Sequence, residues 1–204
     1  MGSPVSNSVS AFDRAFRAAC ARVFGAADAG AQAHVTLDWV DSPVGPLIIG
    51  ATADAVCLLE FSEIESLEAR LSALRQRAGA SFAPGTSRWL AALRTQLAEY
   101  FSSKRRDFTL PLTFGGSEFQ HRVWSLLREI PYGETWSYLD LARRAGDLGA
   151  TRAVGAANGM NPIAIVIPCH RVIYANGELG GFGGGLWRKQ ILLDLERGQS
   201  RLDL

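Results

Sequence analysis

Hydrophobic and polar residues alternate with two different periods along this chain, and the change of period divides it into segments. From Ala11 to Phe24 apolar side chains recur every three or four positions, which predicts an amphipathic helix. Residues 34–61 instead contain three short apolar runs, HVTLDWV, PLIIGATA and AVCLLEF, separated by turns rich in Pro, Gly and Asp. This pattern predicts a small antiparallel meander.

Helical spacing returns after the three predicted strands. Leucines on one face predict helices over residues 63–78 and 87–101. Together with the strands, these helices predict an α+β domain over residues 34–110. We interpret residues 1–33 as an N-terminal extension with one helix, in which the Ala- and Gly-rich residues 25–33 form a linker.

A second, mostly helical domain is predicted over residues 115–204. SEFQHRVWSLLREI predicts a helix, PYGET a turn, SYLDLARRAG a second helix and DLGATRAVGAAN a third, while residues 186–196 form the last helix. Helix, glycine-containing turn and helix are typical of a helix-turn-helix. The backbone of the helix that follows the turn could approach another surface closely, because most of its side chains are small: Ala150, Ala153, Gly155, Ala156 and Ala157.

The composition of the 204-residue chain indicates the class of protein and the compartment to expect. The formal net charge of +1 neither indicates nor excludes a nucleic-acid partner, because a local basic patch can suffice. No apolar stretch is long enough for a membrane span, and the N-terminus lacks a secretory signal. Three widely spaced cysteines without a CxxC pair fit a reducing cytoplasm and argue against disulfides or a structural metal. We therefore expect a cytoplasmic protein without a metal or cofactor.

The candidate chemistry lies at Cys169, which follows the apolar run IAIVIP. This run predicts a strand or extended segment that ends at Pro168, whose fixed backbone would set Cys169 on a rigid turn. The cysteine is then either a buried thiol or a nucleophile activated by a histidine or a cation. His170 is adjacent in sequence, but neighbouring side chains diverge in an extended chain. The residues alone leave both interpretations open.

The order of the residues disfavours several enzyme classes. A papain-like protease has its cysteine before its histidine, and this chain has no histidine after His170. A zinc deaminase needs further thiolates nearby, and the glycines at 180–185 lack the Lys-Ser/Thr of a P-loop. A cysteine nucleophile beside a helix-turn-helix and a glycine-rich segment instead suggests chemistry on DNA.

Several segments together resemble the O6-alkylguanine-DNA alkyltransferases. IPCHRV at 167–172 is similar to the active-site signature of that family, and four further segments follow its order and spacing: DSPVGPLIIGATADAVCLLEF, FQHRVWSLLREIPYGETWSY, TRAVGAANGMNP and GFGGGLWRKQILLDLE. The similarity covers residues 36–197. It implies an N-terminal ribonuclease H-like domain with a small antiparallel sheet and a winged-helix-like C-terminal domain.

The resemblance implies direct-reversal DNA repair. Cys169 would irreversibly accept one alkyl group from O6-alkylguanine, or from O4-alkylthymine, in double-stranded DNA after the base is flipped from the minor groove. Arg152 would fill the space that the base leaves, and Tyr138 would rotate the nucleotide and bind the base. Three small residues would let the helix approach the DNA: Ala153, Gly155 and Ala156.

The family also implies roles around the thiol. His170 would take the thiol proton through a water, Glu196 would orient that histidine, and Asn161 would brace the segment that carries the cysteine. Five residues would line the base pocket: Pro168, Val172, Phe182, Gly183 and Gly184. The family commonly has tyrosine in place of Phe182, and the glycines that follow could admit alkyl groups larger than methyl.

Lesion binding without transfer and sequence-specific transcription control are the two alternatives to alkyl transfer. An alkyltransferase-like protein that only binds the lesion characteristically lacks the nucleophile, so Cys169 argues against it. A transcription factor would need polar base-reading side chains where residues 153–157 read AVGAA. We expect a monomer that associates with the nucleoid when bound to DNA, with cooperativity left open. Residues before 34 lack the four cysteines of the zinc-bearing phosphotriester-repair domain found in some relatives.

Overall fold

The computed structural model describes residues 4–25, 35–78 and 80–199. It separates into two compact units, one of Met1–Ala98 with Thr109–Thr113, the other of Glu99–Phe108 with Phe114–Leu204. Most of the predicted linker, residues 26–33, lies outside the described residues. Within the described ranges, none of the helices combines the length and apolar character that a membrane crossing requires.

A four-stranded sheet forms the framework of the first unit. Three strands pair antiparallel in chain order, as the meander pattern predicts: β1 (Val35–Val40), β2 (Leu47–Ala51) and β3 (Val56–Phe61). A fourth strand, β4 (Phe82–Pro84), pairs parallel to β1 and completes the order β3-β2-β1-β4. The sequence pattern missed β4 because three residues are too few to show an alternation, and the sheet is therefore mixed.

Three helices belong to this part of the chain: α1 (Pro4–Phe24), α2 (Ile64–Ala78) and α3 (Arg88–Phe101). The last two agree with the predicted helices to within one residue at their starts. Helix α1 begins at Pro4 rather than at Ala11, and proline suits the first helical turn because its missing N–H needs no partner there. Its serine-rich first residues carry no apolar stripe, so periodicity could not detect them.

The N-terminal extension contributes to the core of the first unit. Helix α1 packs against α2 and β4 and buries Phe12, Phe16 and Cys20 in one cluster with residues of the sheet. The ring centroids of Phe12 and Trp39 lie 4.7 Å apart, and the Trp39 indole N–H donates to the Asp13 carboxylate at 3.1 Å. Burial raises the pKa of the Cys20 thiol to about 11, as expected for a packed core cysteine.

Replacing Phe16 with alanine should destabilise the first unit. The loss of a buried aromatic ring leaves a cavity and should lower the free energy of unfolding by about 3–5 kcal/mol. Chemical denaturation followed by tryptophan fluorescence measures this change. The exposed Arg17, which pairs with Asp13 on the surface of the same helix, provides the control, since Arg17→Ala should change the stability much less than Phe16→Ala. Equal losses in the two variants would show that α1 is not part of the core.

Four helices and a two-residue strand pair build the second unit. The helices are α4 (Glu118–Leu127), α5 (Tyr138–Arg144), α6 (Thr151–Gly159) and α7 (Leu186–Glu196), and β5 (Trp136–Ser137) pairs parallel with β6 (Val172–Ile173). Reciprocal capping boxes begin two of the helices, Ser117 with Gln120 for α4 and Ser137 with Asp140 for α5. The caps satisfy backbone N–H groups that would otherwise lack partners at the helix starts.

The predicted helix-turn-helix consists of α5, a turn and α6. Gly146 follows α5 with a φ of 92°, a conformation that favours glycine. The Asp147 carboxylate accepts from the Gly149 N–H at 2.7 Å and caps a short 3-10 helix, Leu148–Ala150, which leads into α6. Helix α6 packs against α4 and α5. The Trp124 indole N–H donates to the Ala157 carbonyl at 2.8 Å and fixes α6 on α4.

The apolar run at residues 163–167 forms a tight turn, so the predicted strand is wrong. Ile165 has a φ of 70°, and the Val166 and Ile167 N–H groups donate to the Ala164 and Ile163 carbonyls. Positive φ is rare for a β-branched residue and must be imposed by the surroundings. All five side chains are buried, so the run is apolar because it lies in the interior and not because it joins a sheet.

Candidate functional site

Cys169 begins a short 3-10 helix, Cys169–Arg171, directly after Pro168. Its backbone N–H donates to the Ile167 carbonyl at 2.8 Å, and only 5% of the residue is exposed. Burial raises the pKa of the thiol, although the Asn161 side chain and the Lys189 charge oppose this shift. At neutral pH the thiol is therefore protonated, and a base must remove its proton before the sulfur can act as a nucleophile.

Asn161 braces the turn that precedes the cysteine. Its side-chain N–H donates to the Ile167 carbonyl at 2.7 Å, and its side-chain oxygen accepts from the Ile163 N–H at 3.0 Å. One side chain thus joins both ends of the buried turn. These two bonds hold the strained backbone at Ile165 and fix the position of the chain two residues before Cys169.

His170 is fully buried beside a carboxylate. Its Nε2 lies 2.8 Å from Oε1 of Glu196, and an ionised carboxylate can only accept, so Nε2 carries the proton and donates. Nδ1 is then an unprotonated acceptor, and it has no hydrogen-bond partner within the described part of the chain. Burial lowers the pKa of His170, which outweighs the opposing influence of Glu196. The histidine is therefore neutral and able to accept a proton at Nδ1.

Glu196, the last residue of α7, accepts five hydrogen bonds. Its Oε1 accepts from the Tyr100 hydroxyl at 2.7 Å, from His170 Nε2 at 2.8 Å and from Arg171 Nη2 at 3.0 Å. Its Oε2 accepts from Arg171 Nε at 2.8 Å and from the Gly133 N–H at 3.1 Å. Burial alone would raise the pKa of Glu196, but the bonds and charges of His170 and Arg171 hold it well below its usual range.

Lys189 is a buried cation at the site that sequence reasoning missed. Its ammonium donates to the Val172 carbonyl at 2.6 Å and to the Leu179 carbonyl, and no carboxylate of the described residues pairs with it. Burial lowers its pKa to about 8, and its interaction with Cys169 opposes that shift. A signal existed in the sequence, because one of only two lysines stands two helical turns before Glu196 on the same face of α7.

Tyr138, the first residue of α5, connects α6 with the glycine-rich segment. Its ring fills the space between two glycines, since a β-carbon would lie 3.8 Å from the ring at Gly155 and only 2.9 Å from it at Gly180. The hydroxyl donates to the Gly181 carbonyl at 3.3 Å. The Tyr174 ring packs against Tyr138 at a centroid distance of 5.4 Å. A side chain at Gly180 would therefore displace the tyrosine, whereas a β-carbon at Gly155 would only contact it.

The structure brings several of the predicted pocket residues together around Lys189. Its ammonium lies 6.0 Å from the ring centroids of both Tyr138 and Phe182, and it binds the carbonyl of Val172. The Gly184 carbonyl accepts from the Arg188 guanidinium at 2.8 Å, which ties the glycine-rich segment to α7. Gly183 is exposed, and a β-carbon there would meet nothing within 4 Å.

The exposed face of α6 carries the residues predicted to approach DNA. Arg152, Ala153 and Ala156 are exposed, whereas Gly155 is half-buried against Tyr138. A helix with one long cation and otherwise small side chains presents its backbone to the outside. The same helix reaches the interior, because the Asn158 side chain donates to the Cys169 carbonyl at 3.4 Å.

Three buried groups of the second unit are of the types that covalent catalysis uses, and two of them, His170 and Glu196, are hydrogen-bonded to each other. A thiol, an acceptor nitrogen and a carboxylate can act as a nucleophile, a base and a group that orients the base. Among the described residues no cluster of His, Cys, Asp and Glu could hold a metal ion. All three cysteines are free thiols.

Family comparisons match both parts of the chain. Residues 36–114 match the ribonuclease-like domain of 6-O-methylguanine DNA methyltransferase, and residues 118–198 match the DNA-binding domain of the same family. The methylated-DNA–protein-cysteine methyltransferase of Mycobacterium leprae is 44% identical over 160 residues, which cover 78% of this chain and 91% of the relative. The Mycobacterium tuberculosis protein of the same name is 40% identical over 171 residues, covering 81% and 94%.

Solved structures agree with these matches. The crystal structure of Mycobacterium tuberculosis OGT in complex with DNA is 41% identical, with a TM-score of 0.68, and the match covers 83% of this chain and 96% of that one. The O6-methylguanine-DNA methyltransferase of Pyrococcus kodakaraensis is 25% identical, with a TM-score of 0.61 and coverage of 79% and 98%. The ribonuclease-like and helix-turn-helix folds expected from the sequence are confirmed.

Replacing Lys189 with methionine should raise the pH at which Cys169 reacts. Methionine nearly conserves the volume but removes the charge, so the pKa of the thiol should rise further, because the Lys189 charge opposes the effect of burial. Iodoacetamide labelling of the Cys169 peptide at increasing pH, read by mass spectrometry, measures the midpoint. The difference should be largest below about pH 8, where Lys189 is charged. Lys104→Met on the surface is the control, and identical midpoints in both variants would exclude a role for the ammonium.

Proposed function

This chain belongs to the methylated-DNA–protein-cysteine methyltransferase family, a family of DNA-repair enzymes, and we propose that Cys169 is the residue that receives the alkyl group. The observation that carries the assignment is the buried series of Cys169, His170 and Glu196 in the unit that contains the helix-turn-helix. Cys20 and Cys57 lie in the other unit, and burial raises the pKa of each thiol to about 11.

The reaction is a displacement at the alkyl carbon. The thiol proton of Cys169 passes through a water to Nδ1 of His170, and the resulting imidazolium donates from Nε2 to Glu196. The thiolate attacks the alkyl carbon in line, so the sulfur–carbon bond forms as the bond between carbon and O6 of guanine breaks. The electron pair stays with the base, which takes up a proton and leaves as guanine. The thioether is not hydrolysed, so each molecule reacts once.

Helix α6 is the element that we assign to the minor groove of double-stranded DNA. Its small exposed residues Ala153 and Ala156 permit a close approach, and Gly155 leaves room for Tyr138 behind them. Arg152 fills the stack after the damaged nucleotide has rotated out, and Tyr138 guides that nucleotide and binds the base. A mispaired alkylated base costs less to extrude than an intact one, which favours lesions.

The flipped base is received in a pocket behind α6. Its proposed lining is Pro168, Val172, Phe182, Gly183 and Gly184, next to the ammonium of Lys189. The open space at Gly183 supports acceptance of alkyl groups larger than methyl and of O4-alkylthymine beside O6-alkylguanine. Asn161 acts as a positioning residue by holding the turn before the thiol.

We further propose that residues 34–110 and 115–204 are separate domains, the second carrying DNA binding and alkyl transfer. The protein acts as a monomer in the cytoplasm and associates with the nucleoid when it binds DNA. The second candidate function, lesion binding without transfer, would not require a thiol. Cys169 with its neutral histidine base favours transfer over that alternative.

Incubation with an oligonucleotide that contains O6-methylguanine should leave one methyl group on the peptide of Cys169. Mass spectrometry of the protein detects the added mass, and the yield should stop at one methyl per molecule because the thioether persists. Cys169→Ala should abolish transfer while it still binds the oligonucleotide, and Cys57→Ala is the matched control with full transfer. No methyl on Cys169, or many turnovers per molecule, would contradict the assignment.

Arg152→Ala should slow repair of duplex DNA much more than reaction with the free O6-methylguanine base. Only the duplex requires a residue to replace the extruded base, so its rate should fall roughly tenfold or more, equivalent to about 1.4 kcal/mol. Single-turnover rates on both substrates measure the difference. Arg128→Ala, an exposed arginine that lies outside α5 and α6, should leave both rates unchanged. Equal losses on both substrates in the Arg152 variant would contradict the proposed role.

A further inference from the structure

Tyr100 contacts the catalytic network from a distant part of the sequence. Its hydroxyl donates at 2.7 Å to Oε1 of Glu196, the same oxygen that binds Nε2 of His170. The segment of Tyr100, Glu99–Phe108, lies in the same unit as both residues. Tyr100 lies 96 positions before Glu196 in the sequence and outside the motifs of the C-terminal half.

The ring of Tyr100 is held by aromatic neighbours that do not need its hydroxyl. Phe101 contacts it edge-on at a centroid distance of 5.3 Å, Phe108 lies at 5.5 Å, and Tyr132 lies edge-on at 6.1 Å. A phenylalanine would fill the same space. Tyr100 is fully buried, and a buried hydroxyl without a partner would cost stability. The hydrogen bond to Glu196 therefore explains why this position carries tyrosine rather than phenylalanine.

The Tyr100 hydroxyl is an uncharged donor to this carboxylate, unlike the guanidinium of Arg171. Burial raises the pKa of Tyr100 well above its ordinary value, and the charge of Glu196 raises it further, so the hydroxyl remains a neutral donor. The charged groups that face His170 are Glu196, Arg171 and Lys189, of which the two cations disfavour its protonation. Tyr100 therefore stabilises the negative charge of Glu196 by a hydrogen bond and adds no third cation beside His170.

We propose that Tyr100 is a positioning residue of alkyl transfer, whose hydroxyl holds Oε1 of Glu196 against His170 and withdraws part of the charge of that oxygen. Without this donor the carboxylate attracts the protons of His170 more strongly and stabilises the imidazolium. The neutral imidazole, which accepts the thiol proton, is then present only at higher pH. This inference rests on the proposed roles of Cys169 and His170 in transfer.

The test compares Tyr100→Phe with Tyr132→Phe across a range of pH. Both variants keep an aromatic ring near Glu196 and lose one hydroxyl. The hydroxyl of Tyr100 donates to Glu196, whereas the charge of Glu196 acts on Tyr132, whose hydroxyl is hydrogen-bonded to Ser103. The measurement is the single-turnover rate of methyl transfer from a duplex oligonucleotide containing O6-methylguanine. In Tyr100→Phe the acidic limb of the profile should move to higher pH by roughly half a pH unit, because the carboxylate that has lost one donor stabilises the imidazolium more strongly. Tyr132→Phe should follow the wild-type profile.

A second measurement tests the proposal even if Tyr100→Phe lowers the stability of the fold. Nitrogen-15 NMR of the imidazole of His170 reports its protonation directly, and the chain has only three histidines to assign. The ring should protonate at higher pH in Tyr100→Phe than in wild type. An unchanged titration, or a uniform loss of rate with an unmoved acidic limb, would overturn the proposal. Failure of the wild-type protein to methylate Cys169 would instead overturn the proposed function.

Discussion

The buried carboxylate of Glu196 is the interaction on which the site depends. It accepts hydrogen bonds from a tyrosine hydroxyl, an imidazole, a guanidinium and a backbone amide, which come from three separate segments of the second unit. A carboxylate without these donors would be too costly to bury in its charged form. Because it is ionised, it fixes the tautomer of His170 and leaves Nδ1 as the acceptor. The last residue of α7 therefore sets the protonation of the imidazole that follows Cys169 in the chain.

Burial keeps the thiol of Cys169 in its protonated form at neutral pH. The pKa of Cys169 is raised and the pKa of His170 is lowered, so neither group is charged at rest. Lys189 adds a cation whose ammonium binds the carbonyls of Val172 and Leu179. It lies close enough to favour a thiolate once the proton has moved. In the proposed reaction, the base and the cation that act on this thiol are therefore already in place around it.

Tyr138 connects the surface of the second unit with its interior. One side of its ring faces Gly155 of α6, and the other faces Gly180 at the start of the glycine-rich segment. Gly180 has a φ of 66°, so both the backbone conformation and the close approach of the ring require glycine. Tyr138 therefore packs between α6 and the start of the glycine-rich segment.

The sequence by itself determined the helices, the three-strand meander and the helix-turn-helix, because each follows a local period or turn signal. The resemblance to the alkyltransferase family pointed to Cys169, His170, Glu196 and Asn161 as candidates for one site, and the described second unit contains them all. Only the tertiary structure decided that residues 163–167 turn back on themselves, since a buried turn and a buried strand are equally apolar. It alone brought Tyr100 and Lys189 to the site, because their roles depend on long-range contacts and on desolvation, which no local pattern records.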